Sequence, residues 1–207
     1  MATKEKADKE HEARITVRPL KTDDWPSIVQ LFGDKGACGG CWCMWPRVPR
    51  GGKLWQENKG KSNRDNFRRL IRAGRVYGVL AFAGDEPVGW CSFGPRQDFP
   101  RLETVRALKR QSTDGTWSIV CFYILPRWRG RGVATRLLEA ATARAFALGA
   151  REIEGYPVVP KTGRMPGVFA WTGVPALFER QRYAELDRPE ALRPIFVHAR
   201  PARKRTS

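Results

Sequence analysis

One uninterrupted run constrains this chain more than any other: a strand, a sharp turn and a long helix between Trp117 and Leu148. Trp117–Leu125 (WSIVCFYIL) is apolar almost throughout and rich in β-branched and aromatic residues, the pattern of a strand buried on both faces. Pro126 has no N–H to donate and ends the ladder. Gly132–Leu148 is alanine-rich and sets Leu137, Leu138, Ala141, Ala145 and Leu148 on one side of a helix that Gly149 stops. Arg151–Tyr156 then reads as the next strand. A strand–helix–strand unit of this kind points to an α/β fold.

The turn itself, Arg127-Trp-Arg-Gly-Arg-Gly-Val-Ala134, carries chemical information. Gly130 and Gly132 let the backbone turn tightly and approach a ligand closely. The first helical turn offers unpaired N–H groups and the positive end of the helix dipole, which together suit a phosphate or pyrophosphate. Arg127, Arg129 and Arg131 add positive charge. The same residues also suit an ordinary glycine turn with solvated arginines. A Walker P-loop is excluded because no Gly-Lys-Ser/Thr follows, and a Rossmann fingerprint lacks its third small residue and its acidic partner.

The remaining elements are read from periodicity. Arg14–Leu20 alternates and forms a first strand; Thr22 is a candidate N-cap for a helix with Pro26 in its first turn and Ile28, Val29, Leu31 and Phe32 buried. Cys38–Pro46 (CGGCWCMWP) is a compact aromatic loop, and Arg47–Lys61 is basic and broken by glycine. Asn63–Ala73 is a second helix, and Val76–Ala83 and Pro87–Phe93 are strands joined at Gly84-Asp85-Glu86. Residues 98–115 read as an insertion; Pro175–Gln181 is a short helix and Arg193–His198 a closing strand. Residues 1–13 form a charged arm, 14–200 a single domain, and 201–207 a basic tail.

Lys plus Arg number 38 against 21 Asp plus Glu, a formal charge of +17. That balance favours anionic partners and disfavours a polycationic substrate. It also keeps a nucleic-acid- or ribosome-associated protein open, although no RNA-recognition or helix-turn-helix signature is present and the arginines are scattered. No apolar run of transmembrane length and no secretory leader pattern occurs, and five cysteines do not form an even disulfide framework, so a cytoplasmic protein without membrane attachment is expected.

Arg127-x-x-Gly130-x-Gly132-x-Ala134, placed after Tyr123-Ile124-Leu125-Pro126, resembles the acyl-CoA-binding motif of the GNAT superfamily of N-acyltransferases. The likeness extends in element order over about Arg14 to Arg200. It implies a mixed, mostly antiparallel sheet splayed between its fourth and fifth strands, with helices on both faces and acetyl-CoA as co-substrate in the splay. It implies backbone hydrogen bonds to the pantetheine arm from Phe122, Tyr123 and Ile124, and a pyrophosphate wrapped by Arg129, Gly130, Arg131, Gly132, Val133, Ala134 and Thr135. The implied reaction is direct attack of a primary amine on the thioester, the amine belonging to a small molecule, peptide or protein. A homodimer is compatible with the family.

The chain departs from the family at the thiolate acid. Members carry a tyrosine in a pattern like A-L-Y-E-x-x-G-F, whereas Ala176-Leu-Phe-Glu-Arg-Gln-Arg-Tyr183 has Phe178 there. Glu154 and Tyr156, two apart on one strand and so on one face, are the replacement candidates as general base and general acid. Glu103 and Asp114 are weaker alternatives, and Cys121 reads as a small buried hydrophobe. If no group replaces the tyrosine, a catalytically weak acyl-CoA sensor is the competing function.

Cys38-x-x-Cys41-x-Cys43 lacks a second cysteine pair, and His11 and His198 lie near the ends of the chain, so no metal site is expected. In the GNAT layout this loop borders the acceptor, and Trp42, Met44 and Trp45 are expected to form its apolar wall.

Overall fold

The computed structural model describes residues 15–49, 53–110, 113–159, 170–186 and 193–200; the arm and the tail read from the sequence lie outside them. Along the chain run β1 (Ile15–Pro19), α1 (Trp25–Phe32), α2 (Lys53–Asn58), α3 (Lys61–Arg72), β2 (Tyr77–Ala83), β3 (Glu86–Pro95), α4 (Arg101–Thr104) and β4 (Thr116–Ile124). They are followed by α5 (Val133–Ala147), β5 (Glu152–Gly155), α6 (Pro175–Glu179), β6 (Ala184–Glu185) and β7 (Phe196–Ala199). The strands form one sheet in the order β1-β2-β3-β4-β5-β7-β6. Every neighbouring pair is antiparallel except β4 and β5, which run parallel and are joined by the α5 crossover that such a pair requires. The mixed, mostly antiparallel sheet expected from the sequence is thus present.

Both sheet faces are covered, which is why β4 reads as continuously apolar. On one face α5 buries Val133, Leu137, Leu138, Ala141 and Ala145 against Val79, Val88, Cys91, Ile119 and Ile153. Alanines at two of those helix positions let the helix lie close to the strands; truncating Leu137 there would cost about 2–5 kcal/mol. On the other face Ile28, Leu31 and Phe32 of α1 and Phe67 and Ile71 of α3 pack on Leu80, Phe82 and Trp90. Among the described residues no helix is long and apolar enough to cross a membrane.

Three local features differ from the sequence reading. The residue flanking α1 is Asp24 rather than Thr22. Its carboxylate accepts two 2.6 Å bonds from the Arg18 guanidinium and one of 2.7 Å from the Lys21 N–H, tying β1 to the helix start. α2 forms within the stretch read as a basic loop. It buries one apolar residue, Trp55, whose ring meets Trp45 edge-on at 4.8 Å; a single anchor leaves no periodicity to detect. Within the stretch read as an insertion, Phe99, Leu102 and Leu108 are packed into the protein and form a third core cluster with Val120, Tyr156 and Ile195.

Candidate active site

The site grows from a defect in the sheet. The β4–β5 ladder ends at Ile119 and Gly155, while β4 continues to Ile124. On its other side β4 is paired with β3 through a bulge that skips Val120, since Ser92 faces Cys121 and Phe93 faces Ile119. A bulge bends its strand and adds local twist, so β4 turns away from β5 where the parallel pairing stops. The opening is crossed by an irregular segment: the Phe122 N–H donates to the Trp171 carbonyl at 2.6 Å.

Beyond this crossing lies a cleft of about 450 Å³. Phe122, Tyr123, Ile124, Arg129, Gly130, Gly132, Val133, Ala134 and Thr135 line it, so all of the residues expected at the co-substrate except Arg131 border one space. Arg131 instead places its guanidinium over the Trp128 ring, 5.3 Å from the centroid. Gly132 flanks α5 in the left-handed region at φ 75°, a conformation that costs other residues about 1–2 kcal/mol. The first backbone bond of the helix runs from the Arg136 N–H to the Gly132 carbonyl. The N–H groups of Val133, Ala134 and Thr135 thus precede any intrahelical acceptor, at the positive end of the helix dipole and beside the cleft. Arg129 is steadied by a 3.2 Å bond from its Nε to the Ile124 carbonyl. Sequence reasoning did not find Trp128, Trp171 or Arg180, which also border this cleft; Trp171 and Arg180 come from the far side of the splay, where no motif marks them.

A second cavity of about 360 Å³ adjoins the first. Its walls are Phe32, Trp45, Pro46, Trp55 and the cysteines Cys38, Cys41, Cys43 and Cys121. Ala37, Cys38, Phe122, Tyr123 and Trp171 border both spaces. Of the expected apolar wall, Trp45 faces this cavity, whereas Trp42 and Met44 are buried in the α1–α3 core. The reason is the loop's backbone: Trp42 and Cys43 both have positive φ, 47° and 56°, which turns the Trp42 indole inward against Trp25 and Phe32. Gly36 makes room for it, because a Cβ at that position would stand 2.3 Å from the indole nitrogen.

Glu154 and Tyr156 do come together, but inside the protein. Arg96 Nη1 donates to Glu154 Oε1 at 3.1 Å and to the Tyr156 hydroxyl at 2.9 Å, and that hydroxyl shares a 2.7 Å bond with Ser118 Oγ. Arg110 stands 3.5 Å from the same carboxylate, and Arg96 also binds Glu103 and the Leu108 carbonyl. Glu154 and Tyr156 are 0% and 1% exposed, and neither borders the two large cavities. Burial raises the pKa of the Glu154 carboxyl, opposed by Arg96 and Arg110, and burial pushes the Tyr156 phenol up as well. Asp114, the other acidic candidate, pairs at the surface with Arg151.

Phe178 is also sealed. It is 0% exposed, with its ring against Phe122, Tyr183 and Phe196. It presses on Gly155, where a Cβ would meet Phe178 at 2.0 Å. Among the described residues no group of three or more His, Cys, Asp or Glu side chains is arranged to hold a metal ion.

A family model for the acetyltransferase (GNAT) family matches residues 42–159, more than half of the chain. The chain belongs to the GNAT acetyltransferases. The matched span holds the cysteine loop from Trp42, the β2–β5 sheet and the whole strand–turn–helix. The GNAT fold is also what solved structures share with it. The phosphinothricin acetyltransferase of Sinorhizobium meliloti, solved with acetyl-CoA, is 15% identical at a TM-score of 0.52 over 89% of this chain and 88% of its own. An N-acetyltransferase of Staphylococcus aureus is 11% identical at 0.52 over 90% and 98%. The PaiA N-acetyltransferase of Thermoplasma acidophilum, solved with coenzyme A, is 13% identical at 0.50 over 90% and 99%. No curated protein sequence matches this GNAT chain significantly.

Proposed function

We propose that the protein transfers an acetyl group from acetyl-CoA to a primary amine carried on an apolar body. The observation that carries this reading is the meeting of two unlike cavities at Phe122 and Tyr123. One is edged by a helix N-terminus with arginine beside it and suits a pyrophosphate. The other is aromatic and suits an apolar acceptor. The binding of coenzyme A by one solved relative and of acetyl-CoA by another supports placing the co-substrate in the first.

In this reaction the amine nitrogen bonds to the thioester carbon, the carbon–sulfur bond breaks, and the departing thiolate takes a proton. Tyr123 is the group assigned as donor. It borders both cavities, and burial raises its phenol pKa, so it holds its proton at neutral pH. Glu154 and Tyr156 enter as positioning residues that hold β4, β5 and the 98–115 segment around Arg96. No carboxylate or imidazole is among the described residues bordering either cavity. An ammonium group thus meets neither a carboxylate nor an imidazole there, which favours weakly basic amines that arrive neutral.

The test is release of free thiol from acetyl-CoA over a panel of amines. Aromatic amines should turn over fastest, and Trp45→Ala should raise the amine KM at least ~10-fold with little change for acetyl-CoA. Preference for polyamines or amino sugars would overturn the acceptor class. Tight acetyl-CoA binding without turnover on any amine would leave the sensor reading.

A further inference from the structure

Cys43 is the best-served sulfur in the protein, and acetyl transfer makes no use of it. The left-handed turn at Trp42 and Cys43 drives its side chain inward, leaving it 2% exposed. The polar groups that face it are donors. The Trp90 indole N–H lies 3.4 Å from its sulfur. The Cys121 thiol and the Ser92 hydroxyl lie beside it, and each favours its ionised form. The Arg47 guanidinium adds positive charge. Ser92 Oγ and the Nε and Nη2 of Arg47 are buried and have no hydrogen-bond partner. A neutral thiol used as a small hydrophobe would leave these donors idle in the core, which is costly. A thiolate gives them an acceptor.

The other titratable neighbours agree with one anion at this place. Hydrogen bonding from Cys121, with Arg47 and Trp90 beside it, lowers the Cys43 pKa to about 6 against the cost of burial. Burial raises the thiol of Cys41, and likewise that of Cys91. The Cys121 thiol is raised by its bond to Cys43 and by burial. Asp98 bears on Arg47 rather than on the sulfur. Both Cys43 and Cys121 border the acceptor cavity.

We infer that Cys43 and Cys121 form a peroxide-reactive thiol pair, a modification site in the wall of the acceptor cavity that hydroperoxides oxidise to a disulfide. The Cys43 thiolate attacks the distal peroxide oxygen, the O–O bond breaks, and alkoxide or hydroxide leaves and takes up a proton, giving a sulfenic acid. Cys121 sulfur then bonds to Cys43 sulfur with loss of water. Two thiols and one hydroperoxide thus become one disulfide, one alcohol or water, and one further water. The bond joins the cysteine loop to β4 next to Phe122 and removes a charge from the cavity wall. Its effect on acetyl transfer rests on the function proposed above, whereas the chemistry itself does not.

The test treats the full reduced chain with hydrogen peroxide and maps the cysteines by mass spectrometry. A Cys43–Cys121 disulfide is expected, reversed by dithiothreitol. In Cys121→Ser a Cys43 sulfenic acid trapped by dimedone should replace it. In unmodified protein, alkylation of Cys43 against pH should have a midpoint at least one unit below that of the exposed Cys38, a readout that needs no variant to fold. Acetyl transfer should fall at least fivefold on oxidation and return on reduction. Oxidation confined to Cys38, or a Cys43 midpoint equal to that of Cys38, would overturn the proposal. Absence of acetyl transfer from the reduced protein would count against the proposed function and leave the disulfide measurement standing.

Discussion

The Phe122 N–H and the Trp171 carbonyl are joined by a 2.6 Å hydrogen bond across the gap between β4 and β5. This donor sits where the two cavities meet, the place where an acyl oxygen would gain charge during transfer. A thioester carbonyl that takes this N–H displaces the Trp171 oxygen. Acetyl-CoA is accordingly expected to shift the Phe122 amide resonance and to speed hydrogen exchange at Gly173, whose N–H bonds to the Ala170 carbonyl in the same crossing segment. An unmoved Phe122 amide at saturating acetyl-CoA would place the thioester elsewhere.

The two tyrosines near the reaction separate by exposure. Tyr123→Phe should lower kcat ~10²-fold with little change in acetyl-CoA affinity, as loss of a general acid does. Tyr156→Phe should leave kcat within ~3-fold and instead lower stability by about 1–3 kcal/mol, because Ser118 Oγ loses its partner in a sealed network. Denaturant melts and steady-state rates on both variants decide the matter. The reverse pattern would make Tyr156 the proton donor.

Restoring the family's tyrosine should not help. Phe178 is wholly buried and presses on Gly155, so the hydroxyl of Phe178→Tyr would enter packed core without a partner. We expect a loss of about 1–3 kcal/mol in stability and no gain in turnover. A faster enzyme of unchanged melting temperature would show that the ring has access to the sulfur.

Most of the fold was legible because its signals are local. The β4 run, Pro126, the glycine pair and the α5 stripe each follow from one element's own residues, and they located the β4–α5 side of the larger cleft. What escaped detection depends on contacts far apart in sequence. α2 is held by Trp55 against Trp45. The pairing of Glu154 with Tyr156 on one face was readable, but their burial was not, because Arg96, Arg110 and the 98–115 segment that close over them arrive from elsewhere. Trp42 read as a wall residue because nothing in the sequence announces a left-handed turn at a non-glycine residue.

The Arg18–Asp24 pair gives a pH test of the α1 junction. Burial works against the Asp24 charge, but the Arg18 bonds and the Lys21 N–H outweigh it and hold the carboxyl below its ordinary value. A folded-state pKa below the unfolded one means the ionised group stabilises the fold at neutral pH, and this is lost as pH falls through the folded value. Asp24→Asn should cost about 1–2 kcal/mol at pH 7, moderated by the partly exposed Arg18, and the cost should shrink toward zero in acid below the ordinary aspartate range. A pH-independent difference in urea midpoints would contradict this.

If acetyl-CoA docks its pyrophosphate on the N-terminus of α5, Gly132→Val should weaken its binding, which calorimetry measures. No protein atom lies within 4 Å of where the new Cβ would stand, so the fold has room for it, while the left-handed φ of 75° disfavours a β-branched residue at the cleft edge. Acetyl-CoA affinity should be at least ~10-fold weaker, about 1.4 kcal/mol, in a variant that still melts cooperatively. A folded Gly132→Val protein that binds acetyl-CoA as tightly as the parent would contradict it.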